Sequence, residues 1–158
     1  MKLDESKVTE TKYDHRRIKH SYKTNYNDVE IYAVKCRMIV NNLDTDKRKY
    51  YSWWCGYVEL PKEMQKYFGG RILKDNTISL GTLGKDEEYK IAPVHGEYNY
   101  LGHGIPVVSN EDSRLFLGWE YDHCRGFKNC MTYREILEEG MKVIDSIEFK
   151  SNTKKDEE

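Results

Sequence analysis

The segment from Tyr50 to Leu60 has the composition of one strand that is apolar on both faces. Aromatic side chains fall on both sides of it, at Tyr51, Trp53, Trp54 and Tyr57. A strand that is apolar on both faces is covered on both faces, so it belongs in the interior of a sheet. The segment therefore predicts a sheet with this strand at its centre.

The preceding segment has the alternating pattern of a strand with one core face and one partly wet face. The alternation begins at Val29, and Lys35 and Arg37 point to the wet face. The other face carries Glu30, Tyr32, Val34, Cys36, Met38 and Val40. Alternation with a period of two residues is the signature of a half-buried strand.

Several shorter strand-like segments follow the central one. Pro61 ends the central strand and can open a short helix through Phe68. Further strands are predicted within residues 71–94. Residues 105–108 and 114–121 are predicted to pair with each other through a turn between them.

One segment near the C-terminus has the pattern of an amphipathic helix. Thr132 and Glu135 have the spacing of a capping box, which marks a helix start. A helical stripe follows, made of Tyr133, Ile136, Leu137, Gly140, Val143, Ile144 and Ile147. Because a long run of strands precedes it, we predict an α+β fold, a mostly antiparallel sheet with one C-terminal helix packed on it.

The 158 residues are enough for one domain with its own core. Residues 1–28 are rich in charge and poor in aliphatic side chains, so we expect a mobile charged arm there. Residues 29–149 are predicted to form the single α+β domain. Residues 150–158 have the composition of a disordered tail.

Bulk charge and hydropathy exclude several classes of partner. The net charge of −1 is not the footprint of a protein that binds a nucleic-acid duplex stably. No apolar run approaches the roughly 20 residues that span a bilayer, so no membrane association is expected. The N-terminus lacks the apolar stretch of a signal peptide, and we expect a cytoplasmic protein.

The four cysteines are expected to be reduced thiols in that compartment. Cys36 and Cys55 fall within strand-like segments and are predicted to be small core residues. Cys124 and Cys130 are spaced more widely than the cysteines of a zinc knuckle. No metal site and no cofactor are predicted.

Polar side chains concentrate in two later segments. His95, Gly96 and Glu97 follow a strand-like segment, and glycine there leaves main-chain amides open to a ligand. Glu120 and His123 lie where another strand ends. If these strands are neighbours, the histidines and carboxylates meet at one end of the sheet.

Three interpretations of that group remain open. A binding pocket would use these groups as hydrogen-bonding walls, with Trp53, Trp54 and Trp119 stacking on a base or ring. A hydrolytic or metal-assisted site would use the histidines as bases or ligands. The histidines could also only fix turns. No complete catalytic or nucleotide-phosphate motif is present, which favours binding over an enzyme.

Three segments carry a family resemblance. Residues 54–58, 94–96 and 117–123 resemble the patterns W-x-G-Y-V, H-G-G-x-T-Y and G-F-D-x-x-H of a family of small phage and prophage proteins. Glu97 stands at the family's second glycine and Glu120 at its aspartate. Arg125 and Gly126 replace the acidic residue that follows the second histidine.

Small phage proteins of this kind often counter bacterial immunity. The resemblance therefore implies a phage-encoded anti-defence protein in the host-cell cytoplasm, one that sequesters a nucleotide-like immune signal. The alternatives are a protein–protein inhibitor of a host immune enzyme and a small hydrolase of the signal. A homo-oligomer is a further expectation.

Overall fold

A computed structural model of the chain describes residues 3–41, 48–66, 89–90, 94, 98–110, 112–121 and 132–149. The strands are β1 (Thr9–Lys12), β2 (Ile18–Tyr26), β3 (Val29–Asn41), β4 (Arg48–Glu59), β5 (Tyr89–Lys90), β6 (Tyr98–His103), β7 (Leu115–Glu120) and β8 (Glu148–Phe149). Helix α1 spans Tyr133–Ser146, Glu5–Lys7 form a 3₁₀ turn, and residues 62–66 are helical.

Six of these strands form one antiparallel sheet in the order β1-β2-β3-β4-β7-β6. The short strands β5 and β8 pair with each other in a second sheet. Helix α1 packs on the large sheet against β3 and β4. The α+β fold predicted from the sequence is confirmed.

Strand β4 lies inside the sheet, between β3 and β7. Its residue Val58 faces α1 and belongs to the main core, while Cys55 faces the opposite side and a smaller apolar cluster. The smaller cluster also contains Tyr32, Val34, Cys36, Ile105 and Phe116. The prediction of a central strand that is apolar on both faces is confirmed.

The helix begins where the capping box predicted. The Thr132 side chain accepts a hydrogen bond from the Glu135 main-chain N–H at 3.3 Å, which satisfies one of the helix's unpaired donors. The buried side of the helix consists of Ile136, Leu137, Gly140, Met141, Val143 and Ile144. All of them except Gly140 belong to the main core, together with sheet residues such as Ile31, Val58 and Leu117.

Two glycines allow the layers to approach closely. A methyl group at Gly140 would collide with Ile31 of β3 and would lie 3.2 Å from Val58. A methyl group at Gly56 would lie 2.5 Å from the Trp119 indole. Gly140 therefore allows the short distance between helix and sheet, and Gly56 leaves room for the Trp119 ring.

The N-terminal segment differs from the mobile arm that we expected. Residues 9–12 and 18–26 are β1 and β2, which extend the sheet beyond β3. Ser21 and Thr24 of β2 are buried, and Leu3 belongs to the main core. Main-chain hydrogen bonds to β3 hold this segment, so its shortage of aliphatic side chains did not prevent ordering.

The partner of β7 also differs from the prediction. Strand β7 pairs with β4 on one side and with β6 on the other, and neither strand contains residues 105–108. Residues 105–108 form turns instead of a strand, with a single bridge from Ile105 to Ser109. Gly104 has a φ of +72°, in the left-handed region, and directs the chain out of β6 into these turns.

Some predictions fall on residues outside the described ranges. Most of the strands predicted within residues 71–94 lie there, and β5 is the part that is described. The tail at residues 150–158 also lies outside them.

Candidate ligand-binding groove

Trp53 and Trp54 lie on opposite faces of the sheet, because adjacent residues of a strand point to opposite sides. Trp54 packs against the main core beside the helix, and Trp53 packs against the smaller cluster. Both are partly buried. The two rings therefore cannot line a single pocket on one face.

Trp119 is fully buried in the main core, with an exposure of 0%. Its indole N–H donates a hydrogen bond to the Tyr121 hydroxyl at 2.8 Å, and its ring lies over Gly56. The Tyr98 ring meets it edge-on at 6.2 Å. Trp119 presents no ring face to a ligand in this arrangement, so its role here is packing.

The other predicted site residues divide between the sheet and undescribed segments. Glu120 is the direct partner of Cys55 on the face that carries Trp53. His95, Gly96, Glu97 and His123 lie outside the described residues. Their meeting at one end of the sheet stays a prediction.

A groove of about 630 Å³ runs beside Trp54 at the N-terminus of α1. Its lining consists of Trp54, Thr132, Tyr133, Arg134, Glu135 and Glu138. The capping box brings the helix N-terminus to this point, and the core packing of α1 sets its distance from β4. The groove thus combines an aromatic floor with charged and polar walls.

Aromatic rings continue from the groove across β2. The Tyr22 and Tyr133 rings stack at 4.0 Å with an angle of 7° between their planes. Tyr22 also lies 5.9 Å from the Trp54 ring. Burial raises the pKa of the Tyr22 hydroxyl, and the Glu10 carboxylate raises it further. The hydroxyl therefore stays protonated at neutral pH. We call Tyr22, Trp54 and Tyr133 the aromatic patch.

A cation lies over the tryptophan of this patch. The Lys35 ammonium is 4.8 Å from the centroid of the Trp54 ring. Burial lowers the pKa of Lys35, and the charge of Lys19 lowers it further. A cation near an indole face is attracted to its π electrons, so the Lys35 ammonium is held at the Trp54 ring.

The helix end of the groove carries an ion pair with the N-terminal segment. Arg134 Nη2 donates a hydrogen bond to Glu5 Oε2 at 3.0 Å, and Arg134 Nε contacts Glu5 Oε1. The Tyr133 hydroxyl donates to the same carboxylate at 3.4 Å. The 3₁₀ turn that carries Glu5 is thereby held against the mouth of the groove.

A second charged cluster surrounds Arg114 at the opposite face of the sheet. Its Nη1 lies 3.0 Å from Glu30 Oε2 and 2.9 Å from Glu59 Oε1, and its Nε donates to Asp112 Oδ1 at 2.8 Å. The bonds from Arg114 lower the pKa of Asp112. Burial acts to raise the pKa of Glu30, but bonds from Tyr32 and Arg114 lower it overall. The cluster joins β3 and β4 to the segment that precedes β7. Since each carboxylate is already bonded, it leaves little for a ligand.

The Cys36 and Cys55 thiols meet on the same face, with their sulfurs 3.6 Å apart. Both are free and buried, which confirms their prediction as small core residues. The hydrogen bond between them lowers the pKa of Cys36 and raises that of Cys55, and burial raises Cys55 further. The pair is part of the smaller apolar cluster on this face of β3 and β4.

Sequence reasoning identified Trp54 and missed its surroundings. Tyr22 lay in the segment predicted to be mobile, and Tyr133 was assigned to the apolar stripe of the helix. Lys35 was placed on a wet face without a partner. The hairpin register between β3 and β4 pairs Lys35 directly with Trp54, and that register is the signal that could have found the contact.

No group of three or more His, Cys, Asp or Glu side chains within the described ranges is arranged to hold a metal ion. In the same part of the chain, no helix is long and apolar enough to cross a membrane. Comparison with protein-family models, with curated proteins and with solved structures gave no match for the chain.

Proposed function

We propose that this chain is a binding protein that sequesters a nucleotide-like small molecule in the groove beside Trp54. The observation that carries the proposal is the position of Trp54, which lines the groove and whose ring is approached by the Lys35 ammonium. A planar ring binds to an indole face by stacking, largely independently of its identity. The ligand ring takes the place of the ammonium, whose flexible stem lets it move aside.

The walls of the groove match the remaining parts of such a ligand. Glu135 and Glu138 supply carboxylates that accept hydrogen bonds from ring amino groups or sugar hydroxyls. Arg134 supplies a planar cation for phosphate or carboxylate. The volume of about 630 Å³ lies within the range of small-molecule sites. A planar ring, hydrogen-bond donors and an anionic group together are the features of a nucleotide.

The biological role that we propose is anti-defence. It rests on the resemblance of residues 54–58, 94–96 and 117–123 to small phage and prophage proteins. A protein of that kind removes an immune signal by holding it, and the groove offers Trp54 and Arg134 as binding groups. The ligand is therefore retained in stoichiometric amounts and released unchanged.

Mass spectrometry of small molecules released by heating the purified protein tests this proposal. Wild-type protein is expected to yield close to one equivalent of an intact nucleotide-like compound. Trp54→Leu is expected to lose it, whereas Trp53→Leu, the matched change on the opposite face, is expected to keep it. Thermal melts of both variants check that each is folded.

Two outcomes would contradict sequestration. A cleaved product, with clearance of many equivalents of ligand by catalytic amounts of protein, would identify a hydrolase instead. Equal loss of ligand in both tryptophan variants, with both folded, would remove Trp54 as the stacking residue.

A second candidate function is inhibition of a host immune protein by direct contact. The observation that favours it is that β1 lies at the end of the sheet order and its residues Thr9–Lys12 are all exposed. An edge strand beside an aromatic patch suits a protein interface, since tyrosine presents a large contact area with little entropy to lose. Such an inhibitor would co-purify with its target and be indifferent to competing nucleotides.

A further inference from the structure

We infer that Arg134 and the Tyr133 hydroxyl bind the anionic group of the ligand, and that the Glu5 carboxylate holds this place in the free protein. The inference rests on the proposed function and specifies which end of the groove binds the ligand's negative charge. It also makes the N-terminal segment a tethered competitor of the ligand.

The contacts of Glu5 are those that an anionic ligand would make. Both of its carboxylate oxygens contact the Arg134 guanidinium, Oε2 with Nη2 at 3.0 Å and Oε1 with Nε. The guanidinium thus meets the carboxylate through a hydrogen bond from Nη2 and an ion-pair contact at Nε, and arginine binds carboxylates and phosphates through such pairs of nitrogens. The Tyr133 hydroxyl adds a third donor at 3.4 Å. A phosphate in the same position would find the same three donors.

Glu5 is held near this position by its neighbours. Asp4 caps the 3₁₀ turn by accepting a hydrogen bond from the Ser6 main-chain N–H at 3.1 Å. Leu3 is buried in the main core on one side of the turn, and Val8 packs against the core on the other. This anchoring gives the Glu5 carboxylate a high effective concentration at Arg134 without requiring a strong contact.

The ion pair between Glu5 and Arg134 is exposed enough for a ligand to displace the Glu5 carboxylate. The side chains of Arg134 and Glu5 are 58% and 46% exposed. Exposed ion pairs are weak because water screens them, so a phosphate with greater charge can displace the carboxylate. Ring stacking at Trp54 and anion binding at Arg134 can then act on one ligand, since both residues line the same groove.

Isothermal titration calorimetry with AMP and adenosine tests the inference. Glu5→Gln is expected to tighten AMP binding by roughly 1.5- to fivefold, the range for one exposed ion pair, and to leave adenosine unchanged. Arg134→Gln is expected to weaken AMP binding by at least as much, again without effect on adenosine. All of these side chains are exposed, so the variants should melt like the wild type.

Glu10→Gln is the charge-matched control. Glu10 lies beside the aromatic patch and pairs with His20 at 3.7 Å, and its substitution removes one negative charge without touching Arg134. An AMP gain in Glu10→Gln equal to that in Glu5→Gln would overturn the inference, because the loss of any negative charge near the patch would then be enough, without the contact to Arg134. Unchanged AMP affinity in both Glu5→Gln and Arg134→Gln would also overturn it.

Inorganic pyrophosphate separates this inference from the proposed function. If it binds Glu5→Gln more tightly than the wild type and fails to bind Arg134→Gln, the anion site stands even where adenosine does not bind. Adenosine could instead bind while the affinities for AMP and pyrophosphate do not change in these variants. That result would support stacking on Trp54 and would contradict the anion site. Absence of binding by all three probes to every variant would overturn both.

Discussion

The Lys35 ammonium lies 4.8 Å from the centroid of the Trp54 ring. The two residues are direct partners in the antiparallel register of β3 and β4, so the hairpin itself creates the contact. Such a contact contributes about 0.5–1 kcal/mol at a partly exposed site. A ligand that stacks on Trp54 replaces it and must supply at least this much.

Lys35→Met removes the ammonium and keeps most of the aliphatic stem. We expect a loss of no more than about 1 kcal/mol in the free energy of unfolding, measured by a denaturant melt. AMP should bind more weakly by roughly 1.5- to fivefold because one nearby cation is lost, while adenosine should bind at least as well as before. Lys12→Met, at an exposed position of β1, is the control and should change neither quantity. Weaker adenosine binding would mean that Lys35 supports the ring instead of yielding to it.

Leu137→Ala tests the packing of α1 on the sheet. Leu137 is fully buried, with an exposure of 0%, so the substitution should cost about 2–5 kcal/mol through lost burial and the cavity left behind. Lys142→Ala, at an exposed position of the same helix, should change stability by less than about 0.5 kcal/mol. A denaturant melt measures both. A cost well under 1 kcal/mol at Leu137 would mean that the helix does not pack there.

Gly140→Ala has two opposing effects on the stability of the protein. Alanine favours a helix over glycine by about 1 kcal/mol, but its methyl group would collide with Ile31. We expect the collision to dominate, with a net loss of about 1–3 kcal/mol in stability.

The double variant with Ile31→Ala separates the two effects of Gly140→Ala. It should lose clearly less stability than the sum of the single variants, since the colliding group is gone. Strict additivity in this cycle would contradict the close approach of helix and sheet.

Acid should weaken the cluster around Arg114. The folded pKa values of Asp112 and Glu30 lie below their ordinary values of 3.8 and 4.5. Their contribution to stability is therefore present above those ordinary values and is lost as the pH falls through the folded pKa values. Denaturant melts at neutral pH and below pH 4 should show this loss.

Arg114→Met should make the same loss smaller, because it removes the cation that lowers both pKa values. At neutral pH it should cost about 1–2 kcal/mol, since three carboxylates lose their shared partner. An unchanged pH dependence in Arg114→Met would contradict the assigned cause of these shifts.

The fold was predictable where burial and capping leave a clear pattern. Aromatics on both faces of β4 required a central strand, and Thr132 with Glu135 marked the helix start. The N-terminal strands were missed because their stability comes from main-chain pairing, of β2 with β3 and of β1 with β2, and from Thr and Tyr side chains. A count of aliphatic residues is insensitive to both contributions.

The candidate site was predictable only in part. Trp54 and Trp119 are equivalent in a sequence, but Trp119 faces Gly56 across the strands and fills the core there. That distinction requires the register of β4 with β7. Arg134 and Glu5 are 129 residues apart, so no local pattern could connect them.

The most direct test of the account is the response of the indole N–H signals to AMP in a ¹H–¹⁵N NMR spectrum. The chain has three tryptophans, so each signal can be assigned by single substitution. We expect the Trp54 signal to shift progressively during the titration. The Trp119 signal should stay in place, because its N–H is buried and bonded to Tyr121. A shift of the Trp53 signal with Trp54 unmoved would contradict the account and place the ligand on the opposite face of the sheet, beside Glu120.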